Sequence, residues 1–301
     1  MDTSALQVFQ AAARSGSVSK AAQQLNYAQS NVTTKIKQLE KELGAPLFYR
    51  HNRGITLTPA GKTLLEYADK ALRLLEEARK AVQDASTPTG PLSIGSMETT
   101  AAVRLPHLLA DYHRMCPEVD LSFVTGPSQQ LIQAVLDYSL DGAFVMGPVE
   151  HPELLQDLVF EEKLVLVTDV LRPRLDSPRE LTDRTVLVFR SGCSYRAKLL
   201  GWLQEEGVMP VKIMEFGTLE TIVGCVAAGL GVSLLPESIV QSKTKESLVH
   251  SYPIPERYGR VQTVFIRRKD AYLSQAYKLF LNELKSRFLL PDGPASHLNL
   301  R

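Results

Sequence analysis

The residues with the clearest chemistry lie between positions 29 and 37. Gln29, Ser30, Asn31, Thr33, Thr34 and Lys37 occupy the outward side of a helical pattern whose inward side is Val32, Ile36, Leu39 and Leu43, at spacings of 4, 3 and 4. A Gln or Asn amide can pair with the edge of adenine through two hydrogen bonds, hydroxyls serve bases or phosphates, and an ammonium suits phosphate. Residues 47–50 and 55–57 alternate like two strands around His51-Asn52-Arg53-Gly54, which places Arg50 and Arg53 at a hairpin tip suited to phosphates or the minor groove. Ser17 and Lys20, at the start of the preceding helical stretch, complete the candidate DNA-facing set. The plain alternative is a solvated polar face.

Three short helices must position these groups. Asp2-Thr3 can cap the first, with Leu6, Phe9 and Ala13 on its apolar side, and Gly16 stops it. Ser17 can cap the second, whose apolar face is Val18, Ala21, Ala22 and Leu25; the small residues at 21 and 22 let a neighbour approach closely. Asn26-Tyr27 then breaks the pattern. Two short helices joined by so tight a turn must cross steeply, as in a helix-turn-helix.

Charge agrees with a polyanionic partner at this end. Residues 1–62 carry eight Lys or Arg against three acids, a net +5, while the whole chain carries only +1, leaving −4 on the remaining 239 residues. The apolar fraction of 44% is that of an ordinary globular protein. No apolar run is long enough for a membrane span, and Met1-Asp2-Thr3-Ser4 lacks the basic start and apolar block of a signal peptide. Cys116, Cys193 and Cys225 are widely spaced without CxxC pairing, which argues for the reducing cytoplasm and against a disulfide framework or structural zinc.

Thr58-Pro59 reads as a cap followed by Pro at the first helical position. Gly61, Leu64, Ala68, Ala71, Leu75, Ala78 and Val82 then form an apolar seam with alternating spacings of 3 and 4, long enough to pair two helices. Self-association as dimer or tetramer through this linker helix is expected; the alternative is packing on its own domain, which Leu65 and Leu72 would permit. Ser86-Thr87-Pro88-Thr89-Gly90-Pro91 breaks the helix.

Beyond it, strand patterns at 92–95, 119–125, 143–146, 164–168, 186–189, 212–216, 232–235 and 261–266 alternate with helical stretches at 101–113, 129–138, 196–206 and 219–228. That argues for α/β with mostly parallel sheets, in which ligands sit beyond the carboxyl ends of strands against helix N-termini. Four strand-to-helix corners fit: Ser96-Met97-Glu98-Thr99-Thr100, Gly126-Pro127-Ser128, Arg190-Ser191-Gly192-Cys193-Ser194 and Gly217-Thr218-Leu219. Any one is an ordinary helix cap; four in one α/β body suggest a cleft. Arg190 and Arg196 are candidates to hold a carboxylate, whereas Glu98 and Glu220 sit where an anion would bind and favour an amine or cation. The residues leave both open.

The run GSVSKAAQQLNYAQSNVTTKIKQLEKELGAPLFYRHNRGITLTPAG, residues 16–61, resembles the signature of LysR-type transcriptional regulators without a gap, and the resemblance continues to about residue 290. Two positions depart from it: Ala28 stands where the family usually has a capping Ser, and Ser30 where Pro is common. The resemblance implies that Gln29, Ser30, Thr33 and Thr34 face the major groove of promoter DNA and that Arg50 and Arg53 form the wing. It implies an all-α winged helix-turn-helix at 1–58, a dimerising linker helix at 59–87, and at 88–290 an α/β effector domain of two lobes like a periplasmic binding protein, ahead of a tail at 291–301. It also implies two crossovers between the lobes, placed at 160–163 and 266–269, so that lobe I is 91–161 with 268–290 and lobe II is 162–267. A small-molecule effector would then meet Ser96, Met97, Glu98, Thr99, Thr100, Ser128, Arg190, Ser191, Cys193, Arg196, Gly217 and Thr218.

Other functions find little support. There is no GxGxxG, P-loop, GxSxG or HExxH, and the six histidines lack metal-ligand spacing, so no catalytic residue, cofactor or metal is expected. Cys193 at a helix start resembles an activated thiol, which keeps a redox sensor as the rival reading.

Overall fold

The computed structural model describes residues 1–51, 54–83, 87–171, 178–245 and 248–288. Arg53 of the expected wing, Ser86 of the expected linker and the tail at 291–301 lie outside the described residues. The chain forms two compact units that part at residues 84–85.

In the first unit, α1 (Thr3–Ser15), α2 (Val18–Gln24) and α3 (Gln29–Leu43) precede a hairpin of β1 (Phe48–His51) and β2 (Gly54–Leu57), and α4 (Pro59–Gln83) follows. Local chemistry sets the boundaries. Asp2 caps α1 by accepting from the Ala5 N–H at 2.7 Å, and Gly16 and Gly44, in left-handed conformation, end α1 and α3. Val8, Phe9, Ala12, Ala21, Val32, Ile36, Leu39 and Leu47 form the shared core, nearly or wholly sealed from solvent. Thr58 caps α4, its hydroxyl accepting from the Gly61 N–H at 2.9 Å and donating to the Pro46 carbonyl at 2.7 Å.

The α4 seam divides in two. Gly61 and Ala68 are buried and Leu64 and Ala71 pack on the core of α4's own domain, so the first half of the expected dimer seam is already occupied. Among the described residues, the large apolar side chains left open on α4 are Tyr67, Leu74, Leu75 and Val82, with Ala78 of the seam also exposed. They lie on one side of the helix, offset toward its C-terminal half.

The second unit runs β3 (Gly90–Ser96), α5 (Glu98–Val103), α6 (Pro106–Met115), β4 (Val119–Thr125), α7 (Ser128–Leu136), β5 (Gly142–Gly147) and β6 (Leu154–Asp169). It continues through β7 (Thr185–Phe189), α8 (Ser194–Glu205), β8 (Lys212–Phe216), α9 (Leu219–Ala227), β9 (Ser233–Pro236), α10 (Glu237–Lys245), β10 (Val249–Pro253), α11 (Glu256–Gly259), β11 (Arg260–Arg268) and α12 (Gln275–Phe288). The helical stretch expected at 101–113 is two helices, divided before Pro106, where the ring blocks the helical hydrogen bond.

The sheets are mixed rather than mostly parallel. β3 pairs in parallel with β4 and β5, and β7 with β8, but β11 runs antiparallel to β5 and β6, and β6 antiparallel to β9 and β10. Strand β6 makes two lobes of one chain: residues 154–163 pair with β11, and residues 164–169 with β9 and β10. The first crossover therefore falls near Lys163. The second lies between Pro253 and Arg260, not at 266–269, because β11 is bound along its length to β5 and β6 in lobe I. Lobe I carries the core of Leu92, Ile94, Leu105, Tyr112, Phe144, Phe265 and Phe280, and lobe II that of Leu164, Val186, Leu187, Leu199, Ile222 and Leu235.

Candidate functional site

The first candidate surface is built on α3. Gln29, Ser30, Asn31, Thr34 and Lys37 are exposed, on the side opposite Val32, Ile36 and Leu39. Thr33 differs from the expectation. It is half-buried, and its hydroxyl donates to the Gln29 carbonyl at 2.9 Å, so its proton is held within the helix. Ala28 supplies no side-chain cap to α3. Ser17 caps α2, accepting from the Lys20 N–H at 3.4 Å, while the Lys20 side chain is exposed.

The hairpin is pinned to the helices by the Ile55 N–H, which donates to the Gly16 carbonyl at 3.0 Å. Glu40 adds a tie that the sequence did not announce. One carboxylate oxygen accepts from the Leu47 and Phe48 N–H groups at 2.9 and 3.4 Å, and the other lies 3.9 Å from Arg50. Arg50 thus sits in the first strand of the wing with half its side chain exposed and a carboxylate within reach.

The second candidate site is a cleft of about 270 Å³ between lobes I and II. Met97, Glu98 and Thr99 come from the start of α5, Ser128 from α7, Arg190, Ser191 and Cys193 from the turn before α8, and Gly217 from the turn before α9. The four corners do converge, but four candidates turn away from this cleft. Ser96 is buried and donates to the Met97 carbonyl, and Thr100, on α5, is fully buried. Arg196 forms an ion pair with Glu215 on β8, so among the described residues only Arg190 brings a guanidinium to the cleft. Thr218 caps α9, bonding to Thr221. A Cβ on Gly217 would come within 3.2 Å of Arg190 Nη2; the missing side chain is what lets the guanidinium lie there. Residues not anticipated also line the cleft, among them Thr125, Gln130, Phe189 and Tyr195.

Beneath the cleft a buried chain of hydrogen bonds joins the lobes. Thr99 Oγ1 donates to Tyr195 Oη at 3.3 Å, Tyr195 Oη donates to Glu162 Oε2 at 3.2 Å, and Arg104 Nε reaches Glu162 Oε1 at 3.5 Å. Thr99 and Arg104 belong to lobe I, Tyr195 to α8 of lobe II, and Glu162 to β6 where it crosses. Burial pushes the Glu162 carboxyl up, against the pull of Arg104, and burial beside Glu162 pushes the Tyr195 phenol well up.

A profile of the bacterial regulatory helix-turn-helix protein, lysR family, matches residues 3–62, and one of the LysR substrate binding domain matches residues 85–289. The HTH-type transcriptional regulator GltR of Bacillus subtilis (strain 168) is 57% identical over 294 residues, covering 97% of this chain and 99% of that protein. The CzcR regulator of Bacillus thuringiensis subsp. konkukian (strain 97-27) is 48% identical over 285 residues, covering 95% and 97%. This chain belongs to the LysR family.

Solved structures agree on the fold. A full-length OxyR variant from Pseudomonas aeruginosa superposes with a TM-score of 0.72 at 23% identity, covering 98% of this chain and 99% of that one. Full-length CbnR complexed with its target DNA gives 0.68 at 22% identity, covering 95% and 100%. The protein is a LysR-type DNA-binding transcriptional regulator with an effector-binding domain, and its relatives are regulators rather than enzymes. Among the described residues no helix is long and apolar enough to cross a membrane.

Within this LysR regulator the surroundings of Cys193 weigh against the redox reading. Burial pushes the Cys193 thiol up, outweighing the Arg196 and Tyr195 N–H groups that favour the thiolate, which is the reverse of an activated cysteine. The sequence patterns did not single out Tyr195 and Glu162, which carry the hydrogen bonds beneath the cleft. A signal existed for Glu162: Phe160, Glu162 and Leu164 share the inward phase of β6, which marks the acid as a buried carboxylate in a strand.

Proposed function

We propose that this regulator reads promoter DNA through Gln29, Ser30, Asn31, Thr34 and Lys37 in the major groove. Thr33 supplies a shape contact, and Ser17, Lys20, Arg50 and Arg53 lie along the phosphates. Support comes from the exposed polar face of α3 and the positive balance of residues 1–62. The chain acts as a dimer or tetramer in the cytoplasm, with the open stripe of Tyr67, Leu74, Leu75 and Val82 on α4 as the self-association surface. That stripe is apolar and contiguous, which a lone helix in water has no reason to keep.

A small-molecule effector enters the cleft between the lobes and meets Met97, Glu98, Thr99, Ser128, Arg190, Ser191, Cys193 and Gly217. The observation that carries this reading is the Thr99–Tyr195–Glu162 chain. It makes the cleft wall and the lobe-to-lobe contact one hydrogen-bonded unit, so a ligand that engages Thr99 changes how the lobes are held. Thr99→Val tests it. DNA affinity without effector should remain within about twofold of wild type, while the effector's influence on that affinity disappears. Electrophoretic mobility shifts on the regulator's own promoter, with and without extracts of induced cells, measure both. A wild-type response in Thr99→Val would move the effector elsewhere.

A further inference from the structure

The cleft contains two unlike charges that the protein leaves unneutralised. Glu98 stands half-buried in the first turn of α5, and Arg190, exposed to solvent at the cleft mouth, follows β7 on the facing lobe. Several other ionic side chains of this unit are paired: Arg196 with Glu215, Arg104 with Glu162, Lys163 with Glu237, Arg257 with Glu205. Among the described residues neither Glu98 nor Arg190 has an ion-pair partner, although both line the same cleft. Closing the lobes over a ligand removes water from both groups, and an unpaired charge out of water is costly. A ligand enclosed between the lobes would therefore have to answer both.

We propose that the effector is a small zwitterion of the α-amino-acid type, with its carboxylate on Arg190 and its ammonium on Glu98. This rests on the cleft being the effector site. A simple carboxylate satisfies Arg190 but leaves Glu98 uncompensated. A simple amine has the opposite defect. An ammonium and a carboxylate on one small molecule answer the two lobes at once, which would draw them together. Arg190 is laid over Gly217, with its fork free for bidentate contact. The volume, about 270 Å³, falls just below the range of about 300–1,000 Å³ usual for drug-sized ligands and suits a metabolite. Met97, Pro127 and Phe189 give the side chain an apolar wall, while Thr125, Ser191 and Ser194 offer hydroxyls.

The test uses the full-length protein and the twenty common L-amino acids as probes, first by thermal shift and then by calorimetry. Each amino acid that raises Tm is compared with its deaminated acid and its decarboxylated amine. At least one amino acid should bind wild type at least about tenfold more tightly than either analogue. Glu98→Gln should erase its advantage over the deaminated acid, Arg190→Gln its advantage over the amine, and Arg190→Lys should fall between. Melting of the ligand-free variants near the wild-type temperature excludes misfolding as the cause. If no amino acid binds, or one binds Glu98→Gln and Arg190→Gln as it binds wild type, the proposal is overturned. If instead plain carboxylic acids, amines or sugars bind and lose affinity in Thr99→Val, the cleft remains the effector site and only the zwitterion falls. If an amino acid binds and all cleft variants are indifferent to it, the cleft reading falls as well.

Discussion

On α3 the candidate contacts project from one rigid helix into solvent, anchored from behind by Val32, Ile36 and Leu39. In the cleft the contacts come from several turns on two lobes, many are half-buried, and Thr99 and Tyr195 are bonded to each other before any ligand arrives. The first surface suits a large polyanion that brings its own order and needs only a matching face. The second suits a small molecule that must be enclosed, so its residues have to sit on parts that can move together. One consequence is separability: changes on α3 should alter DNA binding without touching effector response, and changes in the cleft should do the converse.

The largest expected effect lies on neither surface but on the stripe that would join two copies. Leu75→Glu places a carboxylate among Tyr67, Leu74 and Val82, and self-association should weaken by roughly a hundredfold or more, since a charge taken out of water without a partner costs several kcal/mol. Leu75 is exposed within one chain, so the fold of either unit should be untouched. Sedimentation velocity reads the outcome; a tight dimer in the variant would put the interface elsewhere.

Gln29→Ala should cost about 1–3 kcal/mol on the cognate site and much less on scrambled duplex. Equal losses on both would make Gln29 a phosphate contact, and any loss of effector response would break the separation between the two surfaces. Next in size is Arg50→Ala. It should flatten the slope of log K against log salt by up to about one unit per half-site, less if Glu40 already holds the guanidinium. An unchanged slope takes Arg50 out of the interface.

The two surfaces also differed in how much the sequence revealed. The α3 face repeats along one helix, so spacing alone separated Gln29, Ser30, Asn31, Thr34 and Lys37 from the core; only the inward hydrogen bond of Thr33 was hidden. The cleft corners were recognisable as helix starts, but whether a hydroxyl at such a corner faces the opening or the core depends on tertiary packing. Ser96 and Thr100 face inward, and Arg196 is taken by Glu215, a partner 19 positions away. The second crossover was misplaced for a related reason: an apolar strand pattern gives β11 its existence but not its neighbours, and pairing with β5 assigns it to lobe I.

The smallest expected effect concerns Glu162, and it separates the regions by pH. Its carboxyl is raised above the ordinary 4.5 chiefly by burial, with Arg104 and the Tyr195 hydroxyl acting against that rise. The folded state therefore holds this proton more tightly than the unfolded chain does. The stability it contributes is complete below the unfolded value of 4.5 and is lost as pH rises through the higher folded value. Glu162→Gln keeps the shape and one acceptor oxygen but cannot ionise. The variant's Tm minus that of wild type should therefore increase as pH climbs above 4.5 and level off once the wild-type carboxylate is charged. Thermal melts of both proteins across that range decide it. The amide also removes the charge facing Arg104, so a difference that stays flat or falls would mean the Arg104 pair outweighs burial. A matching series on Gln29→Ala should show no such trend, because that surface is exposed and its substitution removes no titratable group.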